Sequence, residues 1–117
     1  MTLNEIKDIL QAEVLTTNSN MNIHVDRGCS SDLMSDVLAF SRPGALLITG
    51  LTNEAVIRTA EVANIKAIVF VRGKKPREEI IALAKEKNIP LLATNFPMFE
   101  TCGKLYEKGL RGSPDAK

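Results

Sequence analysis

The stretch Gly28-Cys29-Ser30-Ser31-Asp32-Leu33-Met34-Ser35-Asp36-Val37-Leu38-Ala39-Phe40-Ser41-Arg42-Pro43-Gly44-Ala45-Leu46-Leu47-Ile48-Thr49-Gly50 decides how the chain is read. It holds a polar lead-in, a short helix with Leu33, Val37 and Phe40 on one side, a Pro-Gly turn, and an uninterrupted apolar strand that stops at Thr-Gly. A strand that is apolar at every position needs cover on both faces, which points to a parallel sheet between layers of helix. The last part of the stretch then recurs. Residues 45–48, 66–71 and 89–93 are apolar runs, each followed by polar residues and a helical pattern, and they begin about 21 and 23 residues apart, close to a minimal βα repeat. The predicted fold is α/β, a single compact three-layer domain over residues 1–110, with a mostly parallel central sheet and flanking helices.

Upstream, Thr2-Leu3-Asn4-Glu5 fits a capping box, and Leu3, Ile6, Ile9 and Leu10 form the apolar stripe of a first helix ending near Ala12. Glu13 to Thr16 reads as a short strand and Thr17 to Asn20 as a turn. Asn22-Ile23-His24-Val25-Asp26 alternates polar and apolar, which predicts a strand buried on one face, with His24 on the polar side. Downstream, helices are predicted over 53–63, 77–87 and 97–108, with Pro76 and Pro97 at first helical positions and Gly109 as a C-terminal cap. Residues 111–117 have nothing to bury and read as a frayed tail.

Composition narrows the function classes. The chain has 117 residues, 44% hydrophobic and 25% charged, with a formal net charge of +1. That balance argues against disorder and against a protein built on a nucleic-acid backbone. The first residues lack a basic segment followed by an apolar run, and no apolar stretch is long enough to span a bilayer, so the expected setting is the cytoplasm, without membrane contact. Cys29 and Cys102 lie far apart with no CxxC or Cys/His spacing, so neither a disulfide nor a metal site is expected. No cofactor is implied.

In an open parallel sheet, ligands collect at the carboxyl ends of the strands. That edge would carry Thr49, Gly50, Thr52 and Asn53 in one loop, Arg72, Gly73 and Lys74 in a second, and Thr94 and Asn95 in a third. The hydroxyl and amide residues ahead of a helix can present backbone N–H groups to an anion, or can simply cap the helix. The basic loop reads as a phosphate site or as a turn neutralised by Glu78 and Glu79; it is not a Walker loop. Ser31, Asp32 and Ser35 form a polar cluster at a helix start, where Asp32 is explained by capping. Cys29 beside that cluster invites a nucleophile reading, against the plainer one of a small residue at a strand end. Cys102 falls on an apolar stripe, and His24 has no nucleophile beside it in the sequence.

Ser31-Asp32-Leu33-Met34-Ser35-Asp36-Val37-Leu38-Ala39, then Pro43-Gly44 and Leu47-Ile48-Thr49-Gly50, resembles the DRTGG domain family. The likeness extends from Ala12-Glu13-Val14-Leu15 to Phe99-Glu100-Thr101-Cys102-Gly103-Lys104-Leu105-Tyr106. The resemblance implies an α/β module with a tendency to dimerise, a regulatory or nucleotide-sensing role where it accompanies CBS domains, and small members found beside iron-only hydrogenase components. The family's Asp-Arg falls on Thr52-Asn53 and its Thr-Gly-Gly on Val71-Arg72-Gly73, so only Gly73 of the signature is retained.

Three functions follow from these observations. The leading one is a non-catalytic regulatory module binding a nucleotide or other phosphorylated small molecule. The second is a scaffold docking onto an enzyme partner such as a hydrogenase component, and the third a small enzyme using Cys29 and Asp32. A homodimer is expected, with Ile23, Val25, Met34 and Leu38 as contact residues, because the apolar residues of the central helix spread over more than one side.

Overall fold

The computed structural model describes residues 1–112. In chain order it contains α1 (Leu3–Leu10), β1 (Glu13–Val14), β2 (Gly28–Ser30), α2 (Met34–Phe40), β3 (Leu46–Thr49), α3 (Glu54–Val62), β4 (Ala67–Phe70), α4 (Glu78–Glu86), β5 (Leu91–Ala93) and α5 (Met98–Glu107). The five strands form one sheet in the order β1-β5-β4-β3-β2. Strands β2 to β5 pair in parallel, and β1 joins β5 antiparallel with Glu13 opposite Ala93. The 66–71 run therefore supplies the middle strand, and all four residues of β4 are buried.

Continuous apolar character in β3, β4 and β5 follows from burial on both faces. Leu46, Ile48, Ala67, Val69 and Leu92 point to one side, where Leu3, Ile6 and Leu10 of α1 and Leu105 of α5 complete a core. Leu47, Ile68, Phe70 and Leu91 point to the other, against Val37 of α2, Val56, Ile57 and Ala60 of α3, and Ile80 and Ala84 of α4. These are the three layers expected. The helices are bounded as their caps dictate. Thr2 Oγ1 accepts from Glu5 N at 3.2 Å while Glu5 Oε1 accepts from Thr2 N at 2.8 Å, a complete capping box. Those bonds hold the Glu5 carboxyl below its ordinary range. Pro76 and Pro97 sit just outside their helices rather than at first helical positions, since Arg77 and Pro97 are the N-caps.

Two local expectations are corrected. The alternating segment 22–26 is not a strand of the sheet; the edge strand on that side is β2, which begins two residues beyond it at Gly28. Its backbone is instead tied to the first turn of the chain, through Leu3 N to Ile23 O (3.1 Å), Asn4 N to Met21 O (2.9 Å) and Val25 N to Met1 O (2.8 Å), with a single bridge between Thr2 and His24. Val25 is consequently 1% exposed in the α1-side core, which removes it from any contact surface, and Ile23 is half-buried against the same core.

The second correction is α2, which begins at Met34 after Leu33, not at Ser31 or Asp32. Its inward face is Met34 and Val37, whereas Leu33, Leu38 and Phe40 are 58%, 51% and 69% exposed. Of the four expected contact residues, Leu38 alone lies mainly on the surface. Arg111, expected in a frayed tail, is held: its carbonyl accepts Gly28 N at 2.8 Å and its guanidinium lies 4.0 Å from the Tyr106 ring. The remainder of that tail, 113–117, lies outside the described residues.

Replacing Phe70, fully buried in the central strand, with alanine is expected to lower unfolding free energy by about 3–5 kcal/mol. Val62→Ala on the exposed side of α3 is expected to stay within about 0.5 kcal/mol. Urea denaturation of the two variants checks the contrast.

Candidate functional site

Three successive crossovers, α2, α3 and α4, all return over the same face of the sheet, but α5 leaves β5 for the opposite face. The loops after β4 and β5 are adjacent and diverge, so the carboxyl edge between these two strands is a topological switch point, the place where an open α/β sheet forms a ligand crevice. The loops there carry Arg72-Gly73-Lys74 and Asn95-Phe96.

The first loop is a tight turn closed by Lys74 N to Val71 O at 3.2 Å, with positive φ at both central residues, 58° at Arg72 and 69° at Gly73. Such a turn suits Gly73, where a Cβ would come within 3.0 Å of Asn95 Oδ1. Arginine pays a conformational penalty at the same φ, of about 1–2 kcal/mol. The turn is held in place by Arg72 N to Phe96 O (2.9 Å) and Gly73 N to Thr94 O (2.8 Å). These two bonds leave this turn without free backbone donors at its apex, because both N–H groups already have carbonyl partners. What the turn presents is side chains. Arg72, Lys74 and Asn95 are exposed, and neither cation forms an ion pair among the described residues. Their neighbours are neutralised: Lys75 Nζ reaches Glu13 at 2.7 Å and Arg77 reaches Glu79 at 3.1 Å. Beside Asn95, Lys104 Nζ lies 4.7 Å from the Phe96 ring centre.

The remaining candidates divide sharply. Thr94 is buried, and its hydroxyl donates to Leu10 O at 2.7 Å, anchoring α1 rather than capping α5. Thr49 and Gly50 are also buried; Thr49 Oγ1 (2.9 Å) and Gly50 N (2.7 Å) both donate to Asp32 Oδ1. Asp32 is thus not a helix cap, as the sequence suggests, but a clasp joining the β2–α2 loop to the end of β3. Ser31 Oγ accepts Leu33 N at 3.0 Å, and Ser35 is exposed on the first turn of α2. Thr52 is half-buried and Asn53 is the N-cap of α3 without a side-chain capping bond.

The Cys29 thiol is free and half-buried, with its pKa pushed up by burial and by the Asp36 charge, opposite to what a nucleophile at neutral pH requires. His24 is exposed on the segment bridging Thr2. Cys102 is partly buried and lines, with Ile48, Leu105 and Tyr106, an apolar cavity of about 240 Å³ between α5 and β2. Among the described residues no group of three metal-ligating side chains is found, and no helix is long and apolar enough to cross a membrane. The switch point itself is invisible in the sequence, because it depends on which face receives α5.

The family model of the DRTGG domain matches residues 5–107. No curated protein matches. Among solved structures the chain is similar to the CBS and DRTGG domains of the regulatory region of the Clostridium perfringens pyrophosphatase, complexed with its activator diadenosine tetraphosphate. The likeness has a TM-score of 0.77 at 19% identity over 99% of this chain. The chain spans about half (52%) of that structure's length.

The turn makes opposite predictions for its two central residues. Gly73→Ala should destabilise by about 1–2 kcal/mol, while Arg72→Gly should leave stability unchanged or raise it by up to about 1 kcal/mol. Melting temperatures of the two variants measure this directly; equal losses would mean that the turn is not held as described.

Proposed function

The chain belongs to the DRTGG domain family, and on that premise we propose that it is a non-catalytic regulatory module of the cytoplasm that senses a nucleotide or another phosphorylated small molecule and acts as a homodimer. The observation that carries the reading is the Arg72-Gly73-Lys74 turn at the switch point, where two exposed cations stand without ion-pair partners among the described residues on a backbone in the left-handed region. Strain of this kind persists where surrounding bonds over-determine it, and ligand-binding loops are where it collects. Pyrophosphatase regulation by diadenosine tetraphosphate supports the choice of ligand class by likeness of fold. The raised Cys29 pKa and the placement of His24 on the exposed segment that bridges Thr2 support a module without a nucleophile, and two free thiols suit a reducing compartment.

A thermal-shift panel of AMP, ADP, ATP and diadenosine tetraphosphate tests the sensing role. At 100 times Kd a ligand stabilises by about 2.7 kcal/mol, a rise of roughly 10 °C for a domain of this size. The double variant Arg72→Ala/Lys74→Ala should melt like the parent without ligand and lose the rise. An identical rise in the variant would move the ligand elsewhere.

Homodimerisation is assigned to Leu33, Leu38 and Phe40, three large apolar side chains mainly exposed on or beside one short helix. A two-fold axis beside α2 would cover exposed side chains of this helix on both copies at once. Sedimentation at micromolar concentration should give a dimer, and Leu38→Asp a folded monomer. Met34→Asp is unsuitable for this purpose, since Met34 packs inward. A parent protein that sediments as a monomer would reassign the patch to a different partner, such as an enzyme.

A further inference from the structure

Asp32 stands at the same carboxyl edge as the basic turn. Its Oδ1 is fixed by Thr49 Oγ1 and Gly50 N, whereas Oδ2 accepts no hydrogen bond among the described residues, and the residue is exposed. Gly50 keeps this carboxylate beside the β4 loop: the position of a Cβ on Gly50 lies 3.6 Å from each Asp32 oxygen and 3.7 Å from Val71 Cγ2, and Arg72 is the next residue after Val71. An acceptor-only group therefore stands at the carboxyl edge beside Val71, the residue from which the turn carrying Arg72 and Lys74 starts, and neither of those cations has an ion-pair partner among the described residues. A bare phosphate centred there would be attracted by Arg72 and Lys74 and repelled by Asp32. The edge is matched instead by a ligand that carries an anionic group and, next to it, hydroxyl donors. A cation is a poorer match, because no group of three His, Cys, Asp or Glu side chains among the described residues could hold one.

We propose that Asp32 Oδ2 accepts a ribose hydroxyl of the ligand whose phosphates lie at Arg72 and Lys74, so that the site selects ribonucleotides over deoxynucleotides and over inorganic phosphates. This deepens the sensing reading and rests on it. Asp32 is a specificity-determining residue in this scheme: its first oxygen is structural, its second reads the sugar.

The test is calorimetric binding of ADP, 2′,3′-dideoxyADP, ribose 5-phosphate and pyrophosphate to the full chain. A hydrogen bond from a hydroxyl to a charged acceptor makes ADP roughly 10- to 100-fold tighter than its dideoxy analogue. Asp32→Asn keeps an oxygen for Thr49 and Gly50 but replaces the free acceptor with a neutral donor. It should weaken ADP, shrink the ribo-to-dideoxy ratio, and leave pyrophosphate unchanged or tighter, a crossing pattern that a purely structural role would not produce. Ribose 5-phosphate should follow ADP if the sugar is what is read. Equal affinity of the parent protein for ADP and dideoxyADP, with both lost in Arg72→Ala/Lys74→Ala, overturns the ribose assignment and leaves the anion site standing. Failure of all four probes to bind overturns both. The parent ratio alone decides the assignment should Asp32→Asn not fold.

Discussion

A parallel sheet must be covered on both faces, and among the described residues three crossover helices are available to do it. Because α2, α3 and α4 all pack on one side, the other side of β3, β4 and β5 is left to the two ends of the chain, α1 and α5. Most other features follow from that constraint. Residues 21–25 are drawn onto the first turn of α1, β1 turns antiparallel to reach β5, and α5 must cross to the far face. That crossing sends the chain after β4 and the chain after β5 to opposite faces of the sheet, while Arg72 and Gly73 stay bonded to Phe96 and Thr94 at the edge between them. The candidate ligand site is a geometrical by-product of covering the sheet.

The layers were legible because burial on both faces leaves a direct mark on composition, an apolar residue at every position of residues 46–48 and 67–70. Alternation is a weaker mark. In residues 22–26 it arises from Val25 dropping into the core beneath α1, not from a pleated strand, and the two causes write the same pattern. The same holds for α2, whose apolar residues cover more of its circumference than the sheet can accept. Periodicity shows that there is a surplus, while only packing shows that Met34 belongs inside and Leu33 outside.

The site was half legible for a related reason. Arg72, Gly73, Lys74 and Asn95 stand out by residue type and fall on the exposed rim. Thr94 and Asp32 look like caps locally and Thr49 like part of a ligand loop, but Thr94 bonds Leu10, 84 residues away, and Asp32 bonds Thr49 and Gly50, 17 and 18 residues away. Local pattern has no access to such bonds. Hydroxyl and carboxylate groups at strand ends are therefore ambiguous until strand order is known, and here they prove to hold the edge together while the cations face outward.

The bond from Thr94 to the Leu10 carbonyl has a consequence for how the chain is made. That bond, at the C-terminal end of α1, cannot form until β5 exists, 84 residues later in synthesis. At about 5–20 residues per second that is a wait of roughly 4–17 seconds on the ribosome. During it, Leu3, Ile6 and Leu10 lack the part of their core that Leu92 and Leu105 supply. The repeating βα units can assemble from neighbours in sequence, and the bond that fixes the C-terminal end of α1 follows them. The α1–β5 junction is thus completed late in synthesis, which gives Thr94 a structural role independent of any ligand.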